Sequence, residues 1–272
     1  MTTIVHISDL HFGKIANKIL PSLIQSINKL NPSIIVVSGD LTQRATKTEF
    51  QEARIFFDQL TSPKLIVPGN HDIPLYNIFK RISNPFSRYK KYIHHDLQPS
   101  FQNDDVMIFG INTARASKIM NGKFSNNQVE KILQKMKTLD PTVFKIVVTH
   151  HPLDLPETYS KDRLVKNWRN VLTKLIDKKT DIFLSGHFHR SGVIPTAHRL
   201  KRDGYASLAL QSGTTTSTRT RGEKNSFNVI KFENPKLTIE NYLWDEEFQQ
   251  FVKVKSQKFL RHTQKGWSPR KV

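Results

Sequence analysis

The sequence predicts a layered α/β protein, and two observations support this prediction. Segments with the pattern of strands alternate with segments with the pattern of helices from the N-terminus to about residue 185. Beyond Gly186 the chain becomes rich in strands. Alternation of this kind is typical of helices that pack on the faces of a sheet.

Short apolar runs, of the length and composition of strands, recur along the chain. In the first part they are Ile4–Ile7, Ile34–Val37, Leu65–Val67, Val106–Ile111, Phe144–Val148 and Ile182–Leu184. The later part adds Val193–Thr196, Tyr205–Leu210, Phe227–Phe232, Leu237–Leu243 and Phe251–Val254. All are far shorter than the ~18 apolar residues that a membrane-spanning helix needs.

Candidate helices have apolar residues three or four positions apart. They are Leu20–Leu30, Glu49–Leu60, Asn126–Lys137 and Arg163–Asp177. Two capping boxes, Thr46-x-x-Glu49 and Ser125-x-x-Gln128, predict hydrogen bonds that satisfy free backbone donors at helix N-termini.

Polar motifs follow five of the predicted strands. They are Asp9-Leu10-His11, Gly39-Asp40, Gly69-Asn70-His71-Asp72, His150-His151-Pro152 and Gly186-His187-Phe188-His189. Open α/β sheets place their active sites past the carboxyl ends of strands. Carboxylate, amide and imidazole groups at that edge are sufficient to bind two divalent cations.

The set and order of these motifs resembles the calcineurin-like metallophosphoesterase family, and most closely its cyclic-nucleotide phosphodiesterase-like branch. The resemblance extends from about residue 3 to about residue 232. It implies a four-layer α/β/β/α metallophosphoesterase sandwich with a helical cap insertion, in which the strand-rich later half supplies most of the second sheet.

The resemblance also implies seven metal ligands. One metal would be bound by Asp9, His11, Asp40 and His189, and the other by Asp40, Asn70, His150 and His187. Manganese or iron is expected, with zinc and cobalt as alternatives. Because the pairs Asp9/His11 and His187/His189 are spaced i, i+2, each pair would project to one side of an extended backbone.

Two further residues are expected to act in catalysis. The resemblance implies that His71 contacts the scissile phosphate and protonates the leaving oxygen, while Asp72 orients the His71 ring. The hypothesis for the nucleophile is a hydroxide that bridges the two metals. His151 is left outside the metal set, as a residue that supports a ligand or contacts the phosphate.

Substrate contacts are less well defined. The segment from Ile73 to Asp105 is predicted to form a cap beside the metals. It combines a basic cluster, Lys80, Arg81, Arg88, Lys90 and Lys91, with the aromatic residues Tyr76, Phe79, Phe86, Tyr89, Tyr92 and Phe101. These groups suit a nucleotide, an anionic lipid headgroup or a nucleic acid, and the alternative is that the aromatics pack the cap onto the body. Other predicted contacts are Asn112, Arg115, His151, Arg219 and Arg221.

Charge and composition limit the class of partner. With 42 Lys+Arg against 23 Asp+Glu, the net charge is +19, which indicates an anionic partner unless the basic surface is merely solvated. Absence of cysteine excludes disulfides and thiolate metal sites.

We predict one metallophosphoesterase domain over residues 1–245, with the cap at about 73–105, and a basic C-terminal strand or tail over residues 246–272. No signal peptide or transmembrane segment is predicted, so a cytoplasmic location is expected. Peripheral contact with the inner membrane surface or with nucleic acid through basic residues is a further hypothesis.

The leading hypothesis for function is a metal-dependent phosphodiesterase that acts on a cyclic nucleotide or a similar small phosphodiester. One alternative is an enzyme like UDP-2,3-diacylglucosamine pyrophosphatase of lipid A synthesis, although that enzyme typically has Arg where this chain has His71. Another is a metal-dependent DNA nuclease, although the chain lacks the long accessory domains of such enzymes. A basic scaffold without activity is opposed by the complete set of ligands.

Overall fold

Two β-sheets stack face to face, and helices cover the outer face of each sheet. The fold is taken from a computed structural model that describes residues 1–117, 121–156, 158–160, 164–196 and 204–270. The predicted four-layer α/β/β/α sandwich is confirmed. Across these ranges, no helix combines the length and the apolar composition that crossing a bilayer requires.

The first sheet has a parallel centre and an antiparallel flank. In spatial order its seven strands are β13 (Gly266–Pro269), β12 (Gln250–His262), β11 (Lys236–Asp245), β10 (Ser226–Glu233), β1 (Thr2–Ile7), β2 (Ile34–Val37) and β3 (Lys64–Ile66). Strands β1, β2 and β3 are parallel, so their carboxyl ends meet at one edge. Strand β10 pairs antiparallel with β1, and β11 to β13 follow as successive hairpins.

The second sheet is mostly parallel. In spatial order its six strands are β4 (Ser100–Gln102), β5 (Val106–Ile111), β6 (Phe144–Thr149), β7 (Ile182–Ser185), β9 (Leu208–Gln211) and β8 (Gly192–Pro195). The strands after Gly186 were expected to supply most of one of the two sheets, and they supply four of the seven strands of the first sheet and two of the six strands of this second sheet. Of the later strands that the structure describes, β8 and β9 join it, whereas β10 to β13 extend the first sheet from the edge that β1 offers.

The described residues form six α-helices, which are α1 (Leu20–Leu30), α2 (Lys47–Asp58), α3 (Ile78–Ser83), α4 (Ser87–Tyr92), α5 (Asn126–Lys137) and α6 (Trp168–Asp177). Both predicted capping boxes are confirmed, at the starts of α2 and α5. The helix predicted from Arg163 begins at Trp168, because Asn167 before it has a left-handed φ of 62° and the Val165 amide donates to Pro152 O. Arg163 itself lies outside the described residues.

The strands are apolar on both faces because each sheet is covered on both faces. In β2, Ile34 and Val36 lie in the core between the two sheets, whereas Ile35 and Val37 lie in the core beneath α1 and α2. Strands of this kind appear in the sequence as continuous apolar runs, without the alternation of apolar and polar residues that marks a strand with one exposed face.

Aromatic residues of the cap divide into two groups. Phe86 and Tyr89 are buried, and the Tyr89 hydroxyl donates to Ile66 O at 2.8 Å. Tyr76 and Phe79 are 69% and 81% exposed. Packing onto the body therefore accounts for the aromatic residues of the cap around α4. It does not account for the exposed aromatic residues around α3.

Strand β13 closes one end of the core with Trp267, which is 2% exposed. Its ring packs edge-on against Phe144 of β6, with centroids 5.7 Å apart. Its indole N–H donates to Asp181 Oδ1 at 2.9 Å, and Arg261 Nε lies 3.2 Å from the same oxygen. Trp267 and Arg261 thus join the edge of the first sheet to the start of β7 in the second.

Replacing Trp267 with Ala should lower the free energy of unfolding by about 3–5 kcal/mol, because it leaves a cavity between the sheets and removes a donor from a buried carboxylate. Urea denaturation followed by circular dichroism measures this change. Phe248→Ala is the matched control, since Phe248 is 64% exposed and its loss should change stability little. Equal effects of the two substitutions would contradict the assignment of Trp267 to the core.

Candidate dinuclear metal centre

Stacking of the two sheets brings five strand ends together, and the predicted metal ligands lie just past them. Asp9 and His11 follow β1, Asp40 follows β2, Asn70 follows β3, His150 follows β6, and His187 and His189 follow β7. Both Asp9 and His150 are fully buried. The structure therefore gathers all seven side chains, although they come from positions 9 to 189 of the chain.

One group of ligand atoms lies between the ends of β1 and β7. His189 Nε2 is 3.3 Å from both Asp9 Oδ1 and His11 Nε2. Asp40 Oδ2 is 3.7 Å from His11 Nε2. Neighbouring ligands of a cation bound at about 2.0–2.2 Å are about 3.0–3.6 Å apart, so the contacts of His189 have the spacing of one coordination sphere and that of Asp40 is slightly longer.

A second group lies between the ends of β2, β3 and β6. His150 Nε2 is 3.2 Å from Asp40 Oδ2, 3.1 Å from Asn70 Oδ1 and 3.2 Å from His187 Nδ1. Asp40 Oδ2 belongs to both groups, while Asp40 Oδ1 accepts a hydrogen bond from the His71 amide at 2.9 Å. Such a shared carboxylate oxygen is the arrangement that bridges two cations.

The atoms in these groups fit cations because each of them can offer a lone pair to a metal. Nδ1–H of His150 donates to Ser38 O at 2.8 Å, and Nδ1–H of His189 donates to Arg219 O at 2.6 Å. Carbonyl oxygens only accept, so these bonds fix the tautomer that leaves Nε2 free for a metal. Asp9 Oδ1 is buried and has no hydrogen-bond donor among the described residues.

Burial and neighbouring charge act in opposite directions on the ligand pKa values. Burial lowers the pKa of His187 to about 3, and nearby His150 adds to this effect. Burial also opposes protonation of His150, but the Asp40 carboxylate outweighs it and raises the His150 pKa to about 9. His150 is therefore the ligand whose proton competes with a cation at neutral pH.

The backbone at the ligands differs from the expected extended conformation. Left-handed φ values occur at Asp9 (52°), His11 (53°), Asp40 (53°), His187 (75°) and His189 (59°). The expectation that the i, i+2 pairs project from extended backbone is therefore wrong. Each such non-glycine residue costs about 1–3 kcal/mol, and this conformation turns the side chains into the space between the sheets.

Two glycines of the motifs lie so close to predicted ligands that a side chain would not fit at either position. A Cβ on Gly186 would overlap Ser8 Oγ and Asp9 Oδ2. Gly39 has a φ of 91°, and a Cβ there would lie 2.8 Å from His150 Nδ1. These glycines allow neighbouring strand ends to approach each other.

The structure corrects the expected contact between Asp72 and the His71 ring. His71 Nδ1 lies 2.8 Å from Gln43 O, so a backbone carbonyl orients the ring. Within the described part of the chain, Asp72 instead accepts hydrogen bonds from Gly69 N, Leu41 N, Thr42 N and Thr42 Oγ1. Burial, followed by the charge of Asp40, raises the pKa of Asp72 to about 6. Asp72 thus supports the turn before the cap.

His151 lies beside the second ligand group. Its ring centroid is 4.7 Å from that of His187, and its Nδ1 is 2.9 Å from Thr113 Oγ1. Its Nε2 is buried without a hydrogen-bond partner in the described ranges. Burial lowers the His151 pKa well below its usual value, with His187 and His150 adding to the shift. A neutral ring beside a ligand is the arrangement that the structure indicates.

The other predicted substrate contacts occupy two regions. Arg219 lies next to the centre, since its carbonyl accepts from His189 and its Nη1 is 3.4 Å from Gln43 Oε1. The positive charge of Arg221 acts on both His187 and His189. Asn112 Oδ1 accepts from the Ala114 amide, and Arg115 Nη2 is 3.4 Å from Gln128 Oε1 at the start of α5. All four substrate roles stay predictions.

Sequence reasoning missed a cavity lined by Phe188, the residue between His187 and His189 in the sequence. It has a volume of about 400 Å³ and is bordered by Tyr159, Phe188, Arg190 and Arg221 among other residues. Arg190 Nη1 donates to the Tyr159 hydroxyl at 3.2 Å. The position of Arg190 directly after the Gly-His-Phe-His motif was the available signal, whereas nothing in the sequence places Tyr159 nearby.

Gly186→Ala should weaken Mn²⁺ binding by at least about tenfold, because the new methyl group would displace the Asp9 carboxylate from the first ligand group. Isothermal titration with Mn²⁺ measures the change. Gly192→Ala is the matched control, since no atom lies within 4 Å of a Cβ at that position. Unchanged Mn²⁺ affinity in Gly186→Ala would show that the close approach of Gly186 to Asp9 is unimportant.

Two curated relatives align with much of the chain at low identity. A probable cyclic nucleotide phosphodiesterase of Vesicomyosocius okutanii is 24% identical over 253 residues, which cover 89% of this chain and 98% of the relative. A probable glycerophosphodiester phosphodiesterase of Arcobacter nitrofigilis is 24% identical over 203 residues, covering 69% of this chain and 71% of the relative.

Solved structures and a family model agree with the fold and the motifs. The purple acid phosphatase PPD1 of yellow lupin (Lupinus luteus) superposes with a TM-score of 0.71 at 13% identity, covering 94% of this chain and 53% of that chain. At this identity the likeness concerns the fold alone. The model of the calcineurin-like phosphoesterase family matches residues 2–191, which include every predicted ligand. The chain therefore belongs to the calcineurin-like phosphoesterase family and is a metal-dependent phosphoester hydrolase.

Proposed function

We propose that this chain is a phosphodiesterase of small phosphodiesters, with a cyclic nucleotide as the expected substrate and two divalent cations, manganese or iron, as cofactors. The observation that supports the proposal most strongly is the position of Asp40 Oδ2, which is 3.2 Å from His150 Nε2 and 3.7 Å from His11 Nε2. One oxygen thus serves both ligand groups.

Cations at such a pair of sites supply Lewis-acid polarisation of a phosphate and lower the pKa of water. The proton-transfer role falls to His71, because a ring nitrogen of His71 lies within 4.8 Å of ligand atoms of both His11 and Asp40. Nδ1–H of His71 is engaged by Gln43 O. Nε2 is therefore the atom that delivers a proton to the leaving oxygen.

The cavity lined by Phe188 and Arg190 supports a substrate of nucleotide size. Its volume of about 400 Å³ suits a nucleoside-sized group. Tyr159 and Phe188 offer aromatic surface to a base, and Arg190 and Arg221 offer guanidinium groups to phosphate oxygens. The names of the two relatives, a cyclic nucleotide and a glycerophosphodiester phosphodiesterase, also favour a small diester. Cytoplasmic location stays a prediction.

The substrate proposal is tested by turnover of the Mn²⁺-reconstituted protein on 3′,5′-cyclic AMP, glycerophosphoethanolamine, UDP-2,3-diacylglucosamine and single-stranded DNA. We expect the cyclic nucleotide to have the highest kcat/KM and a chelator to abolish its turnover. Preference for glycerophosphoethanolamine would keep the small-diester class and reject the cyclic nucleotide. Preference for the lipid-linked substrate or for DNA would reject the proposal.

His71→Ala should lower kcat by about 10²–10⁴-fold, because it removes the proton donor to the leaving group. Bound Mn²⁺, measured by elemental analysis, should stay unchanged, since neither ligand group depends on the His71 ring. His95→Ala is the control, because His95 is exposed, stacks on His94 and belongs to neither ligand group. A His71→Ala variant with full kcat, or one that loses its metal, would contradict the assigned role.

A further inference from the structure

The part of the cap around α3 presents an apolar surface to solvent. We define the apolar cap surface as Leu75, Tyr76, Ile78, Phe79 and Ile82, whose exposed fractions range from 38% for Leu75 to 81% for Phe79. Elsewhere in the described ranges, the exposed large apolar residues are scattered at Met1, Ile55, Phe248 and Val254. A contiguous patch of this kind on a soluble protein marks an interaction site.

In α3 a charged residue is buried and the apolar residues are exposed, which is the reverse of an ordinary surface helix. The buried residue of α3 is Arg81, whose Nε donates to Ala116 O at 2.7 Å and whose Nη1 donates to Pro74 O at 3.1 Å. Ile78, Phe79 and Ile82 point away from the body. Since an amphipathic helix normally buries its apolar face, the orientation of α3 keeps that face available to a partner.

The segment that carries the apolar cap surface is rich in basic residues. Residues 73–95 include five basic residues and no acidic one. Lys80, Lys90 and Lys91 are exposed, and the Arg44 guanidinium lies 5.0 Å from the centroid of the Tyr76 ring and donates to the Tyr76 hydroxyl. Apolar side chains surrounded by cations are the combination that binds the interface of an anionic bilayer.

We infer that the apolar cap surface docks this chain on an anionic membrane, with Ile78, Phe79 and Ile82 inserted among the lipids and the lysines at the headgroups. A second copy of the chain fits this surface less well than a membrane does. A two-fold symmetric contact would place the basic side chains of one copy against the same side chains of the other, and these would repel each other. The inference does not depend on the substrate proposed above.

Docking at this surface would place the membrane beside the metal centre. Arg44, which contacts Tyr76, directly follows Gln43, whose carbonyl orients His71. The short turn at Asn70–Asp72 leads directly into the cap. A diester released at or embedded in the membrane surface would therefore reach the ligands over a short path.

Flotation of the full chain with vesicles tests the inference. We expect binding to vesicles of equal parts phosphatidylglycerol and phosphatidylcholine, and weak binding to phosphatidylcholine alone. Phe79→Ser and Ile82→Ser should each reduce the partition coefficient by about tenfold or more. Lys90→Gln and Lys91→Gln should each reduce it by about fivefold and weaken its salt dependence. Phe248→Ser, at an exposed site on the β11–β12 hairpin, is the matched control.

A second measurement separates insertion from charge attraction alone. In Phe79→Trp the fluorescence of the new tryptophan should shift to shorter wavelength when anionic vesicles are added, because the ring enters an apolar environment. Chelator-sensitive turnover of a water-soluble diester should stay at the wild-type level in Phe79→Ser, so a docking defect is distinguishable from a failed active site. Absence of wild-type binding to anionic vesicles, or equal binding by Phe79→Ser, would overturn the inference. A dimer in sedimentation that Phe79→Ser dissociates would overturn it as well.

Discussion

The arrangement of the candidate site depends on one buried carboxylate, that of Asp40, which belongs to two groups of predicted ligands. Asp40 Oδ2 can belong to both groups only if the ends of β1, β2, β6 and β7 meet at one place, and this requires the two sheets to stack with their parallel strands in register. Asp40 Oδ1 accepts a hydrogen bond from the amide of His71, so the same side chain also positions the residue proposed to transfer the proton. The proposed bridging and proton-transfer roles are thus linked through a single residue.

Stacking of the sheets is in turn maintained by the core between them. Ile4, Ile34 and Val36 of the first sheet pack against Phe144, Ile146 and Val148 of the second. Strand β13 seals one end of this core through Trp267 and Asp181, and the ligands occupy the ends of the parallel strands. Apolar burial therefore fixes the distance between ligands that are far apart in sequence.

Side-chain identity and strand ends could be predicted from the sequence, whereas contacts through the backbone could not. Each ligand motif interrupts an apolar run, so its position past a strand was visible in the residues. The carbonyls of Gln43, Ser38 and Arg219, which orient His71, His150 and His189, have no residue signature. Pairing of β10 with β1 was also hidden, because an apolar run indicates burial on both faces without specifying its neighbour.

The left-handed backbone at the predicted ligands positions their side chains at the site but lowers the stability of the fold. Asp9, His11, Asp40, His187 and His189 all have a conformation that glycine would adopt at lower cost. Replacing one of them with glycine would relieve local strain while removing a side chain that could bind a metal. At these positions a more stable fold and a weaker predicted metal site are therefore expected to come together.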